Sequence, residues 1–82
     1  MSEMTIRVRL FAAAREQAGT GTLSQDLLAG STVADAAKAL YDAYPAMREM
    51  PLRFAVNAAY VDPDAVLHDG DELACIPPVG GG

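Results

Sequence analysis

With 82 residues the chain has room for one domain, and a domain of that size buries only about 60% of its unfolded surface, so its core has to be efficient. Half of it is hydrophobic (51%), and eleven acids against six bases leave a net charge of −5, the opposite of the basic footprint that nucleic-acid binding requires. No apolar run approaches the ~20 residues of a membrane span, no signal-peptide pattern opens the chain, and a single cysteine forms no internal disulfide, so the cytoplasm is the default compartment.

Thr5 to Phe11 alternates, with Ile6, Val8 and Leu10 on one face and Thr5, Arg7, Arg9 and Phe11 on the other, which predicts a half-buried strand. Phe11 is the odd member, an aromatic on the arginine face. Ala12 to Ala18 is rich in helix formers and Gly19 suits a left-handed C-cap. Thr22 to Leu28 reads as a second strand through Leu23 and Leu27, although Ser24, Gln25 and Asp26 dilute the pattern. Thr32 followed by Asp35 has the spacing of a capping box. Val33, Ala36, Ala37, Leu40, Tyr41 and Tyr44 then form one apolar helical stripe that Pro45 ends.

Residues 46–51 read as an irregular connection with room for one helical turn, in which Met47 and Met50 cover an edge of the core. Arg53 to Val56 is a third strand with Phe54 and Val56 on one face; Asn57-Ala58 turns the chain and Ala59 to Val61 returns. Asp62-Pro63-Asp64 and His68-Asp69-Gly70-Asp71 are turns, the second with glycine where a positive φ is expected. Glu72 to Ile76 is the last strand. Two strands, a helix and two or three short strands predict an α+β fold in which one main helix lies across a small mixed sheet, with a short extra helix. A right-handed crossover lets the closing strand pair with the first. That is the ubiquitin-like β-grasp, with residues 1–76 as its body and residues 77–82 as a flexible tail.

A self-sufficient active site is hard to find. His68 sits in an acidic turn and Cys75 shares strand parity with Leu73, so the pair reads as a solvated histidine and a core thiol. The glycines at 80–82 have no helix after them, as a phosphate loop requires. Asp62, Asp64, Asp69, Asp71 and Glu72 lack the alternation of a calcium loop and read as turn residues, so no metal site is expected.

Two features stand apart. One is the ending Cys75-Ile76-Pro77-Pro78-Val79-Gly80-Gly81-Gly82: two prolines end the ladder and stiffen the exit, and three residues without side chains follow. Such a terminus fits a slot too narrow for any other residue, although a frayed end or a cloning scar has the same composition. The other is the face carrying Phe11 and Ile76, which pairing of the first and last strands brings together. Tyr60 can join them, with Arg7 and Arg9 as a rim suited to docking.

Leu10-Phe11-Ala12, Arg15-Glu16, Gly19, Ala55-Val56-Asn57, Asp69-Gly70-Asp71-Glu72 and Ile76-Pro77-Pro78-Val79 before Gly81-Gly82 together resemble the MoaD family, the small subunits of molybdopterin synthase. The resemblance covers essentially the whole chain. It implies a sulfur carrier of the ThiS/MoaD type. An E1-like (MoeB-type) activating enzyme uses ATP to adenylate the Gly82 carboxylate, and a sulfur donor protein converts it to a thiocarboxylate. The large (MoaE-type) subunit receives the tail, and sulfur passes to precursor Z, a cyclic pyranopterin monophosphate, on the way to molybdopterin. The carrier itself binds no cofactor and supplies no catalytic side chain. Gly82 is then the reacting terminus, with Gly81, Gly80, Val79, Pro78 and Pro77 threading behind it and Phe11, Tyr60, Ile76 and Arg15 touching the partner. Gly80 departs from the family pattern, which more often has alanine or a small polar residue there. Sibling carriers for thiamine or cysteine synthesis, a ubiquitin-like protein modifier, and an interaction domain with an inert tail remain open alternatives.

Overall fold

Alternation in the first strand seeds the sheet. The computed structural model describes residues 2–78, and in it β1 (Glu3–Leu10) buries Met4, Ile6, Val8 and Leu10 while its other residues face solvent. The chain then forms α1 (Ala12–Ala18), β2 (Thr22–Leu28), α2 (Val33–Ala43), a 3-10 turn (Pro45–Glu49), β3 (Arg53–Val56), β4 (Ala59–Val61) and β5 (Glu72–Ile76). The five strands make one mixed sheet in the order β2-β1-β5-β3-β4, with β1 and β5 parallel and the other neighbours antiparallel. One main helix on a mixed sheet whose first and last strands are central neighbours is the ubiquitin-like β-grasp, as the element order predicts.

Cross-strand pairing collects the core. Val8 pairs with Leu23 and Leu73, Leu10 with Cys75, Phe54 with Cys75 and Val56 with Leu73, so these side chains share one face. α2 lays Val33, Ala36, Ala37 and Leu40 against that face, and Tyr41 and Tyr44 pack at its margin. The capping box is present: the Asp35 N–H donates to the Thr32 hydroxyl and the Thr32 N–H to the Asp35 carboxylate, an arrangement that contributes about 1 kcal/mol.

Two other orphan donors at this helix end are satisfied from a distance. The Val33 N–H donates to the Ala65 carbonyl and the Ala34 N–H to that of Pro63. Residues 63–67 have no sequence periodicity, yet they also bridge Thr32 to Val66 and bury Leu67 completely. Met47, expected at the rim, is fully buried, because the 3-10 turn folds it under the sheet's apolar face.

Turn chemistry follows the expected residues with one exception. Gly19 (φ 75°) caps α1 through its N–H to the Arg15 carbonyl, and Gly70 has φ 85°. Asn57 and Ala58 both have positive φ (49° and 71°), the signature of a type I′ hairpin that usually places glycine second. Ala58 therefore carries a strain cost of about 1–2 kcal/mol.

Candidate functional site

β5 is the central strand, hydrogen-bonded to β1 on one side and β3 on the other. It stops at Ile76, directly before Pro77, which has no N–H to continue the ladder. Pro77 is buried and Pro78 exposed. The predicted tail residues Val79, Gly80, Gly81 and Gly82 lie outside the described residues. Whatever follows Pro78 is thus attached to a strand held by neighbours on both sides.

The face of the sheet away from α2 carries the second feature. Along one row of the register Arg9 pairs with Ala74, Ala74 with Ala55, and Ala55 with Tyr60; along the next, Ile76 pairs with Arg53. The β1–β5 register, carried one residue past Leu10, sets Phe11 beside Ile76. Phe11 is held there in extended conformation as the N-cap of α1, and Ala12 after it has φ 50°. Phe11 is 36% and Tyr60 61% exposed, while Ile76 is half-buried between them. The predicted trio therefore shares one face.

Each aromatic on this face is stacked by an arginine. The Arg9 guanidinium lies 5.2 Å from the Phe11 ring centroid and that of Arg53 lies 4.5 Å from the Tyr60 centroid. Such stacks are worth about 0.5–1 kcal/mol at an exposed site, and they hold both rings in place. Arg9 also lies 3.8 Å from Glu72. The result is an apolar strip of Ala74 and Ile76 between two arginine–aromatic stacks, on a chain whose net charge is negative. Chemically this suits a partner with an apolar centre and an acidic rim. A cleft of about 370 Å³ opens beside Tyr60, lined in part by Arg53, Asp62 and Pro63.

Arg53 is not among the residues expected on this face, although strand parity could have placed it there: Phe54 points inward, so Arg53 points outward beside Ile76. Arg15, by contrast, stands apart from this face. Its side chain lies against Gly21, so close that a Cβ there would come within 3.3 Å of Nε. The Arg15 backbone N–H donates to the Phe11 carbonyl, but among the described residues no hydrogen bond, ion pair or ring stack of the Arg15 side chain reaches the Phe11–Tyr60 face.

The remaining chemistry is structural. Cys75 is fully buried, and burial pushes its thiol from an ordinary 9.0 up to about 12. The buried neutral thiol supports the fold fully below pH 9, and that contribution is lost as pH rises toward 12. His68 is exposed in its turn, so the two make no nucleophile pair. Among the described residues no group of three or more His, Cys, Asp or Glu is placed to hold a metal ion, and no helix is long and apolar enough to cross a membrane.

Asp71 locks the turn before β5. Its carboxylate accepts from Asn57 Nδ2 at 2.9 Å and from the His68 N–H at 2.8 Å, and its carbonyl accepts from the Arg7 N–H. The Asn57 bond first, and the His68 bond second, hold this carboxyl below its ordinary 3.8. A depressed folded pKa means that the charged form stabilises the fold above pH 3.8 and that this support is lost as pH falls through the folded value. Asp71→Ala is expected to cost about 2 kcal/mol at pH 7 and to flatten the acid limb of the stability profile, measured by urea unfolding from pH 7 to pH 2.5.

The sequence profile of the ThiS family matches residues 8–82. A molybdopterin synthase sulfur carrier subunit from Arabidopsis thaliana is 36% identical, covering 99% of this chain and 86% of its own length. The corresponding Chlamydomonas reinhardtii subunit is 39% identical over 96% of this chain and 100% of its own. Among solved structures, a putative molybdopterin converting factor subunit 1 from Pyrococcus furiosus superposes with TM-score 0.86 at 28% identity, covering 93% and 99% of the two chains. The small archaeal modifier protein 1 from Haloferax volcanii gives 0.84 at 33%, covering 95% and 99%. A complex of subunits 1 and 2 of the molybdopterin-converting factor from Helicobacter pylori gives 0.68 at 22%, covering 96% and 100%, and speaks for the fold alone. By profile, by whole-length identity and by fold, this chain belongs to the ThiS family, and the curated proteins it matches are sulfur carrier subunits of molybdopterin synthase.

Proposed function

We propose that this chain is the sulfur carrier of a molybdopterin synthase and that its chemistry resides on the Gly82 carboxylate. The observation that carries the reading is the end-to-end likeness to two curated carrier subunits, joined to a central strand that leads into Pro77-Pro78-Val79-Gly80-Gly81-Gly82. A carboxylate is a poor electrophile and its oxygen a poor leaving group. An activating enzyme therefore spends ATP to make the acyl-adenylate, and sulfur from a donor protein displaces AMP to leave a thiocarboxylate. The tail enters a large subunit and sulfur passes to precursor Z. The work would take place in the cytoplasm.

The reading is tested by the intact mass of the chain after incubation with ATP, a sulfur source and a working activating enzyme. A gain matching one oxygen-to-sulfur exchange, mapped to Gly82, is expected. No gain, with the enzyme active on its own carrier, overturns it.

For the large subunit we assign the Phe11–Ile76–Tyr60 face. The two curated relatives are named as subunits of a synthase, which supports such a partner, and the two arginine–aromatic stacks supply ordered anchors. Ile76→Asp is expected to weaken large-subunit binding by at least about 10-fold in calorimetry. Tyr60→Ala, at a position too exposed to disturb the core, should weaken it in the same direction. Unchanged affinity in both returns this face to ordinary surface.

The 33% identity to a small archaeal modifier protein favours a second reading, in which activated Gly82 is joined to amines of other proteins. Conjugates that appear with the activating enzyme and disappear on deletion of Gly81-Gly82 would support it. Persistence of free carrier with a thiocarboxylate end would exclude it.

A further inference from the structure

The sheet has two open edges, and only one is protected. β4 is three residues long and runs directly into Asp62 and Pro63, which closes it to further pairing. β2 is seven residues long, contains no proline, glycine or lysine, and carries Asp26 as its one charge. Strands of that length and composition are open to edge-to-edge pairing.

The phase of the ladder shows which groups are free. The Leu10 N–H donates to the Gly21 carbonyl and the Ala29 N–H to that of Ser2. With the β1–β2 register, this turns the backbone groups of Leu23, Gln25 and Leu27 toward β1 and those of Thr22, Ser24, Asp26 and Leu28 outward. Both ends of the outward row are already engaged. The Thr20 hydroxyl bonds the carbonyl and N–H of Thr22, and the Ser31 N–H donates to the Leu28 carbonyl. In the middle, the outward N–H and C=O groups of Ser24 and Asp26 have no partner among the described residues.

We propose that this edge pairs antiparallel with the same edge of a second copy of the chain, about a twofold axis through Gln25. A twofold perpendicular to the sheet preserves its faces, so the axis must fall on a residue. On Ser24 it would demand the backbone groups of Thr22, which Thr20 holds. On Asp26 it would set two like charges directly opposite. On Gln25 it sets Ser24 against Asp26 of the second copy, so the free groups of each meet those of the other. Leu23 then faces Leu27 of the second copy as a non-hydrogen-bonded pair, the closer kind of cross-strand contact. Both leucines are half-buried in the single chain and would lose further apolar surface to the contact. Each β5, three strands in, leads to its own tail, so pairing leaves both tails free.

The test is sedimentation equilibrium of the intact chain from micromolar to millimolar concentration, with amide exchange on the same samples. A concentration-dependent dimer is expected, with the Ser24 and Asp26 amides gaining protection as it forms and the β4 amides unchanged. Ser24 is exposed on the outer face, so charge is tolerated there. Ser24→Lys, facing Asp26 of the second copy in two symmetric pairs, should tighten the dimer by about 2- to 30-fold, and Ser24→Asp should weaken it by as much. Ala46→Lys and Ala46→Asp change net charge equally at a site remote from β2 and should move the equilibrium far less. A monomer at millimolar concentration overturns the proposal. So does a dimer that responds to the Ser24 variants in one direction, not at all, or no more than to the Ala46 pair.

Discussion

One alanine added after Gly82 is expected to reduce sulfur transfer by about 100-fold or more, because misplacement of a reacting atom by a single residue exceeds the tolerance of an oriented site. Gly82→Ala should act in the same direction for a different reason: it adds a Cβ where the proposed slot accommodates none. Gly80→Ala is the internal contrast, since the family pattern often has alanine at that place, and it should retain most transfer. All three changes lie beyond the described strands and core and are expected to leave them intact. β5 closes at Ile76, and the buried cluster extends from Met4 to Cys75. Urea midpoints of all three variants should match the parent. Thiocarboxylate formation and product release should be measured separately, because the extended tail can fail at activation or at transfer. Near-normal transfer by the extended chain would remove the terminal carboxylate from the mechanism.

Leu73→Ala is expected to be the most damaging change to the fold itself. Leu73 is 1% exposed, sits on the central strand, and is flanked by Val8 of β1 and Val56 of β3. Truncation there removes transfer energy and leaves a cavity that a sheet paired on both sides of β5 relaxes into poorly, at a cost of about 2–5 kcal/mol. Against a total stability of roughly 5–10 kcal/mol for a small domain, the variant should unfold at a much lower urea concentration and populate unfolded chain at physiological temperature. Leu28→Ala provides the scale. Leu28 is 51% exposed, and its truncation should stay within about 0.5 kcal/mol of the parent. Equal midpoints for the two variants would mean that β5 is not the centre of the core.

Local signals identified most of these elements and failed where stability is non-local. β1, α2 and β5 are legible because alternation, the Thr32–Asp35 capping box and the Pro45 and Pro77 stops act within a few residues. Gln25 defeats the same logic. It faces inward opposite Ile6, and what makes it acceptable there is the Ala36 carbonyl, which accepts from Nε2 at 3.0 Å from a different element. Its Oε1 is buried without a partner, the one such side-chain atom among the described residues. Leu67 is hidden for a related reason. One buried residue in an aperiodic segment gives no pattern, and its segment is held by bonds to the start of α2. On the candidate face, parity put Phe11 and Ile76 together with Arg9 at their rim, whereas the Arg53–Tyr60 stack depends on the pairing of β3 with β4.

The parallel alignment of β1 and β5 has a mechanical consequence. The two strands are neighbours and point the same way, so a pull applied to the start of β1 and the end of β5 acts in shear along their shared ladder. In shear the cross-strand bonds bear load together, whereas in a hairpin peeled from its open end they break in turn. β5 is gripped on its other side by β3 as well. A load that enters at the end of β5 is therefore shared between two ladders, which protects the body of the fold from unfolding at that end.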